Sequence, residues 1–343
     1  MRKLLNTLYV TTPGSYLSRD GQNVVVLIKG VEKFCIPIHN IEGIVCFGYM
    51  GASPGLIGLC SENNVGLTFT TENGWFLGRF TGKVNGNVLL RRKQFRMADS
   101  DVDSINIARI FISGKLANSR NVLQRAIRDH GQSLNTTAFD ESIGIINNAL
   151  KSVQRTKSLN ELRGYEGEGT LAYFSVFDQI ILHQKEHFYF HERSRRPPLD
   201  NVNAMLSFVY TLLMHEVTTA LETVGLDPCV GFLHCNRPGR SSLALDLIEE
   251  FRPYLADRLV LSLINRKQVN YKGFIHPETS GVTMTDETRK EIISAWQKRK
   301  QESIIHPFLN EEISVGLLPY VQALLFARFL RGDLDNYPVF IMK

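Results

Sequence analysis

The sequence predicts an α+β protein, with a β-rich N-terminal domain over residues 1–95 and an all-α C-terminal domain over residues 96–343. Up to about residue 90, short runs of β-branched and aromatic residues alternate with turn residues, a pattern typical of strands. Beyond that point the apolar residues recur with a period near 3.6, which is typical of helices. A length of 343 residues also favours two domains over one.

The N-terminal elements follow from apolar runs and turn residues. Residues 16–28 contain two apolar runs around Asp20-Gly21, a dipeptide typical of β-hairpin turns. Asn73-Gly74 indicates a second turn. Further strands are predicted at residues 34–38, 43–47, 66–70 and 75–80. One helix, over residues 54–63, is expected to interrupt them.

The polar stretch over residues 91–100 is either a linker or the start of a helix. Apolar residues at helical spacings then predict a helix through residues 105–123. A second helix is predicted over residues 202–217, with Asp200 as its N-cap and Pro197-Pro198 breaking the chain upstream. Residues 319–330 predict a buried helix, and the tail over residues 333–343 is expected to be irregular.

Composition and charge narrow the class of protein. We find no run of about 18 apolar residues, and the first residues turn polar too quickly for a secretory signal. Five scattered cysteines favour a reducing cytoplasm without a disulfide framework. Residues 1–98 carry eleven of the 39 basic residues and five of the 34 acidic ones, a net +6. This asymmetry fits a nucleic-acid enzyme and a merely basic soluble protein equally well.

A crowded acidic helix is the first candidate site. Asp246 and Glu249 lie three residues apart and therefore share a helix face, and Glu250 adds a third like charge. Such crowding costs a few tenths of a kcal/mol unless a cation offsets it. The face either binds a metal or is a solvated acidic surface on which Glu249 pairs with Arg252.

Two distant segments supply further candidates. His234 follows Gly231-Phe232-Leu233, and its alternative role is that of a hydrogen-bonded histidine without a ligand. Glu166 lies between two glycines, where a helix is expected to begin after Leu162. Its alternative role is that of a first-turn carboxylate stabilised by the helix dipole. Glu168 competes with it as the functional carboxylate.

Carboxylates with one imidazole suit a hard divalent cation such as Mn²⁺ or Mg²⁺ better than a thiolate-binding metal. Cys229 and Cys235 flank His234, but no paired CxxC completes a zinc site. The chain also lacks a G-x-S-x-G elbow, a phosphate-binding P-loop and an H-E-x-x-H motif. Basic clusters at residues 91–96, 193–196 and 298–300 suit phosphate contacts or solvated faces equally. Phosphodiester chemistry fits this combination.

Together these segments resemble one family, the CRISPR-associated integrase Cas1, which inserts new spacers into CRISPR arrays. The resemblance rests on residues 161–167 (Glu-Leu-Arg-Gly-Tyr-Glu-Gly), residues 195–207, His234 and residues 246–253. It covers nearly the whole chain, because the β-rich first part also resembles that family's N-terminal domain. The opening and Tyr337-Pro338 most resemble the subtype I-C branch. Tyr165 departs from the family pattern, in which an aliphatic residue is more usual.

The resemblance implies a function and a set of partners. By motif position, Glu166, His234 and Glu249 would be the metal ligands, and Asp246 would bind the metal or orient one of its ligands. The partners would be protospacer and CRISPR-repeat DNA, a second copy in a homodimer formed through the β-domain, and the small protein Cas2. A DNA 3′-hydroxyl would attack the repeat. Two alternatives stay open, a structure-selective nuclease without an integrase role and a catalytically silent DNA-binding scaffold.

Overall fold

The computed structural model describes residues 6–72, 74, 76–80, 82, 88–234, 237–277 and 281–342. The chain divides into two compact units, Met1–Asn85 and Gly86–Lys343. This division falls about ten residues before the boundary expected from the sequence. The stretch that resembled a linker is helix α2 (Val88–Ala98), in which the buried Gln94 side chain bonds the backbone of Asp227 and Val230. These contacts tie the helix to the second unit.

The N-terminal unit is built from strands, as predicted. They are β1 (Asn6–Val10), β2 (Ser15–Asp20), β3 (Asn23–Ile28), β4 (Val31–Pro37), β5 (Ile41–Phe47), β6 (Gly51–Ala52), β7 (Gly66–Thr70) and β8 (Phe76–Phe80), with helix α1 (Pro54–Glu62) between β6 and β7. They form two four-stranded sheets, in the orders β1-β5-β7-β8 and β4-β3-β2-β6. In the first sheet β1, β5 and β7 run parallel, and β8 is antiparallel to β7.

Local sequence explains two features of this unit. The predicted Asp-Gly hairpin is confirmed, because Asp20 pairs with Asn23 across a two-residue loop in which Gly21 has a φ of +56°. That conformation is strained for residues with a side chain. The predicted helix begins at Pro54, and the Ser53 side chain accepts the backbone N–H of Leu56 as an N-cap.

The C-terminal unit is mainly helical. Its helices after α2 are α3 (Asp101–His130), α4 (Thr136–Arg155), α5 (Leu159–Ser175), α6 (Asn201–Thr223), α7 (Ser242–Ile248), α8 (Arg258–Asn265), α9 (Asp286–Gln301) and α10 (Leu318–Arg331). The unit is not all-α, however. Strands β9 (Phe274–Ile275) and β10 (Thr283–Met284) pair with each other, as do β11 (Ser303–Ile305) and β12 (Glu312–Ser314). These ribbons have two or three residues per strand, too few to show an alternating pattern in the sequence.

Helix α6 forms part of the interior of this unit. The Asp200 side chain accepts the backbone N–H of Asn203 at 2.7 Å, so the predicted N-cap is confirmed. The helix is long and apolar enough to cross a membrane by length and composition, but more than half of its most apolar window is buried within the protein. Burial in a protein core accounts for that apolar character.

A wide turn interrupts the acidic helix. Helix α7 ends at Ile248, and residues Arg252–Asp257 form a π-helical segment before α8 begins. Pro253 lies in this segment and lacks the N–H that a regular helix would use. Between α7 and this segment the turn is tighter, because the backbone N–H groups of Glu249 and Phe251 donate to carbonyls three residues back, those of Asp246 and Ile248.

Candidate active site

Glu166 lies well inside helix α5. That helix begins at Leu159 rather than after Leu162, which places Glu166 in its third turn. The alternative role as a first-turn carboxylate held by the helix dipole is therefore wrong. Glu168 is exposed to solvent, whereas Glu166 faces α3 and is partly buried. The structure thus separates these two carboxylates.

A buried lysine joins Glu166 to Glu249. Lys115 of α3 is 7% exposed, and its ammonium forms an ion pair with Oε1 of Glu166. The same Nζ atom lies 2.8 Å from Oε2 of Glu249. Glu166 Oε1 also accepts a hydrogen bond from the Thr170 hydroxyl at 3.0 Å. One cation therefore contacts two carboxylates that come from different helical segments.

Glu249 is an ionised, buried carboxylate. Nη1 of Arg252 lies 2.7 Å from its Oε1 atom. Burial alone would raise the pKa of Glu249, but Arg252 and Lys115, with a smaller contribution from His234, lower it to about 2. The Glu249–Arg252 pair expected on a solvated surface does form, yet its carboxylate is only 3% exposed. The solvated-surface interpretation is therefore wrong.

Asp246 holds the His234 loop in place. Its Oδ2 atom accepts the backbone N–H groups of Phe232 and Leu233, at 2.6 and 3.0 Å. Its Oδ1 atom accepts the backbone N–H of His234 at 3.0 Å and lies 2.6 Å from His234 Nδ1. A carboxylate oxygen accepts this bond, so Nδ1 is the donor, and in the neutral form of the ring Nε2 is the nitrogen that can bind a metal. Such carboxylate–histidine pairs are typical of metal-ligating histidines.

A second contact brings the His234 loop to helix α5. The guanidinium of Arg163 donates to the backbone carbonyl of Leu233, with its nearer nitrogen at 2.7 Å. Arg163 precedes Glu166 by three residues, so both side chains leave the same part of α5. The residue before His234 is thereby anchored beside Glu166.

Glu250 is directed away from Glu249 and towards the C-terminal tail. It is fully buried, and its carboxyl group accepts hydrogen bonds from the Tyr337 hydroxyl, the Phe340 backbone N–H and the Gln322 amide. Burial raises the pKa of Glu250 to about 8 despite these three bonds. The two adjacent glutamates thus have different roles, since Glu250 secures the tail.

The donor atoms suit a hard divalent cation. Within the described residues, no three His, Cys, Asp or Glu side chains already converge on one metal position. Nonetheless Glu249 Oε2 is buried without a hydrogen bond, although the Lys115 ammonium lies within ion-pair distance. With Glu166 and His234 Nε2 it gives the oxygen and imidazole donors that Mn²⁺ accepts. Burial raises the pKa of the Cys229 thiol, which opposes zinc binding there; Cys235 lies outside the described residues.

The contact of Lys115 with the two glutamates was not predicted from the sequence. The only signal was a lysine at position 115 on the apolar side of the predicted helix, three residues after Ile112 and next to Leu116. One of the basic clusters also differs from expectation. Within residues 193–196, Arg193 is turned inward to Asn203 and Ser207, whereas Arg195 and Arg196 are exposed.

The sequence model of the family described as "CRISPR associated protein Cas1" matches residues 8–298. The chain belongs to the Cas1 family. A relative from Chlorobaculum tepidum, named "CRISPR-associated endonuclease Cas1 1", is 51% identical over 343 residues, and the match spans 100% of this chain and 100% of the relative. The predicted family is therefore confirmed, and the name of this relative supports a nuclease for this Cas1 family member.

Two solved structures share the Cas1 fold. One, described as "Casposase bound to integration product", superposes with a TM-score of 0.84 at 23% identity, over 98% of this chain and 94% of that one. Another, a "Cas6-RT-Cas1--Cas2 complex", gives 0.83 at 20% identity, over 100% of this chain and 37% of that one. These likenesses confirm the predicted α+β fold class.

Proposed function

We propose that this protein is a metal-dependent DNA endonuclease and integrase of CRISPR adaptation, which inserts spacer DNA into the CRISPR array. A DNA 3′-hydroxyl attacks the phosphodiester at the repeat, and as the new P–O bond forms, the bond to the repeat strand's own 3′-oxygen breaks and that oxygen leaves as a 3′-hydroxyl. The observation that carries the proposal is the meeting of Glu166 and Glu249 at one buried cation, with the imidazole of His234 on a loop that Asp246 anchors. Family membership and the structural likeness to an integration complex support it.

Glu166, His234 and Glu249 would hold Mn²⁺ or Mg²⁺. A cation held there would polarise the phosphodiester and lower the pKa of the attacking hydroxyl. The imidazole of His234 favours Mn²⁺ over Mg²⁺, because Mg²⁺ prefers oxygen ligands and retains its waters.

The remaining side chains position these ligands. Asp246 bonds Nδ1 of His234 and so fixes the orientation of the ring, and Arg252 holds Glu249 through Oε1 while Lys115 contacts Oε2. The attacking hydroxyl belongs to the DNA in strand joining and to water in strand cutting, so neither reaction requires a nucleophilic side chain.

A group of arginines around Tyr254 favours a nucleic-acid substrate. The guanidinium carbons of Arg258 and Arg299 lie 5.2 and 5.0 Å from the ring centroid of Tyr254. Burial, followed by repulsion from Arg125 and Arg299, lowers the pKa of Arg258 to about 10. Within the described residues no carboxylate forms an ion pair with Arg258. A DNA phosphate would relieve this repulsion and match the planar guanidinium.

The proposed assembly includes a second copy of this chain and a small Cas2 partner. Strand β4 lies at the edge of its sheet, and its residues Val31 and Phe34 are 57% and 46% exposed. Pairing across a two-fold axis would cover this edge. The structurally similar complex described above contains Cas1 together with Cas2.

One assay separates the proposal from its alternatives. The protein is incubated with Mn²⁺, a short duplex with free 3′-hydroxyls and a supercoiled plasmid that carries a CRISPR repeat. Joined product supports the integrase. Cut product alone supports the runner-up, a structure-selective nuclease without an integrase role. Gel retardation without any chemistry would identify a scaffold. The Glu166→Gln variant controls for a contaminating nuclease.

A further inference from the structure

We propose that the ammonium of Lys115 takes the position between Glu166 and Glu249 that the catalytic cation requires, so that metal binding must displace Lys115. The inference rests on the proposed function and assigns the lysine a positioning role in it. Lys115 would hold the two carboxylates at a distance that suits one cation and would compete with the metal for them.

The contacts of the ammonium carry this inference. Lys115 Nζ pairs with an oxygen of Glu166 and lies 2.8 Å from Oε2 of Glu249. Oε2 is buried, and among the described residues no hydrogen-bond donor besides the Lys115 ammonium approaches it, so a metal at this oxygen would replace the ammonium. A divalent cation bound to the same two oxygens would lie within a few ångströms of Nζ. Two cations that close repel each other strongly in a buried site.

The neighbouring charges make the competition unequal at the two carboxylates. Glu249 keeps the guanidinium of Arg252, at 2.7 Å, whether or not Lys115 is present. Among the residues that the structure describes, the Glu166 carboxylate forms hydrogen bonds with Lys115 and the Thr170 hydroxyl alone. Displacement of the lysine would therefore remove more of the compensating positive charge at Glu166 than at Glu249. The lysine stem is flexible, so a displaced ammonium stays near the site, where it can pair with a DNA phosphate.

Replacement of Lys115 by Met removes the charge and keeps the apolar length of the stem. We expect this variant to bind Mn²⁺ about tenfold more tightly than the natural protein, because a close charge pair contributes on that scale. Without metal, its melting temperature should fall, because the partly buried Glu166 and the buried Glu249 lose the cation that they share. Lys115→Arg keeps a competing charge and should bind Mn²⁺ much less tightly than Lys115→Met.

A matched control exists in the same unit. Lys300 is another buried lysine, and its ammonium lies 2.6 Å from a carboxylate oxygen of Glu216. Lys300→Met should lower the melting temperature in the same way but leave the Mn²⁺ affinity unchanged. A merely structural lysine would affect stability alone, so the two variants separate stability from competition.

The test is calorimetric titration of Mn²⁺ into full-length, EDTA-treated protein. Tighter binding by Lys115→Met, with unchanged binding by Lys300→Met, is the expected result. Equal or weaker binding by Lys115→Met would overturn the inference while leaving the proposed metal site standing, provided that Glu166→Gln abolishes binding. Absence of Mn²⁺ binding in the natural protein and all variants would overturn the proposed metal site and this inference together.

A second measurement uses the natural protein and does not depend on any variant folding. Amine acetylation is followed by mass spectrometry with and without saturating Mn²⁺. Labelling of Lys115 should rise when Mn²⁺ is bound, whereas labelling of Lys300 should stay constant. Unchanged labelling of Lys115 at saturating Mn²⁺ would contradict displacement.

Discussion

Replacement of Glu250 by Gln should remove a large part of the pH dependence of stability. The carboxyl group of Glu250 is fully buried between Tyr337, Phe340 and Gln322, and burial raises its pKa from 4.5 to about 8. Glutamine keeps the shape of the protonated acid, and its carbonyl can accept the bonds from Phe340 and Gln322. The Tyr337 hydroxyl can rotate to accept from the new amide.

The direction and the magnitude of the change in unfolding free energy follow from the raised pKa of Glu250. Below about pH 4.5 both the folded and the unfolded chain are protonated at this position, and the stabilising contribution is fully present. Between about pH 4.5 and 8 only the folded protein retains the proton, so stability falls by about 1.4 kcal/mol per pH unit. The contribution is lost above about pH 8, after a total of about 5 kcal/mol.

The assay is urea unfolding followed by circular dichroism at pH 5.5, 6.5, 7.5 and 8.5, in steps of about one unit. The quantity of interest is the difference in unfolding free energy between the natural protein and Glu250→Gln. Other groups that titrate in this range, such as Asp257 with a pKa raised by burial to about 6, are present in both proteins. The exposed Glu168→Gln serves as the control and should follow the natural protein. A difference that stays constant from pH 5.5 to 8.5 would refute the reasoning.

Three further predictions concern the candidate site and the DNA surface. Glu166→Gln and Glu249→Gln should each lower strand joining by more than about 100-fold while circular dichroism shows a folded protein. Asp246→Asn should lower strand joining by about 10- to 100-fold, because Asp246 acts through His234. Activity within a few-fold of the natural protein in either glutamate variant would contradict the ligand assignment. Mn²⁺ should support joining at least as well as Mg²⁺ when initial rates are compared at equal concentration; a clear preference for Mg²⁺ would argue against an imidazole ligand. Charge reversal at the exposed Arg195 should weaken DNA binding evenly across sequences. It should also lower the slope of log affinity against log salt concentration, measured by fluorescence anisotropy, by about one or more. DNA binding that does not depend on salt would contradict this prediction.

Much of the local structure can be read from short stretches of sequence. The Asp20-Gly21 hairpin, the helix that begins at Pro54 and the Asp200 cap depend on neighbouring residues, and each lies where it was predicted. The short ribbons of the helical unit and the true start of α5 were not predicted, because two or three residues carry too little periodic signal.

The candidate site, too, was predicted only in part from the sequence. Motif resemblance selected Glu166, His234 and Glu249 and left open the role of Asp246. It could not show that Asp246 uses both of its oxygens on the His234 loop, or that Glu250 faces the tail. Consecutive residues of helical conformation point about 100° apart, so Glu249 faces Lys115 while the adjacent Glu250 faces Tyr337 of the tail.

The sequence by itself determined the division into a β-rich and a helical part, the family, and the residue types that suit a hard cation. Only the tertiary structure decided that Lys115, which lies 51 residues before Glu166 in the chain, contacts both carboxylates, and that Arg193 is turned inward while Arg195 is exposed. The reason is physical. Capping and turn formation depend on neighbours in sequence, whereas the neutralisation of a buried charge depends on whichever helix packs against it.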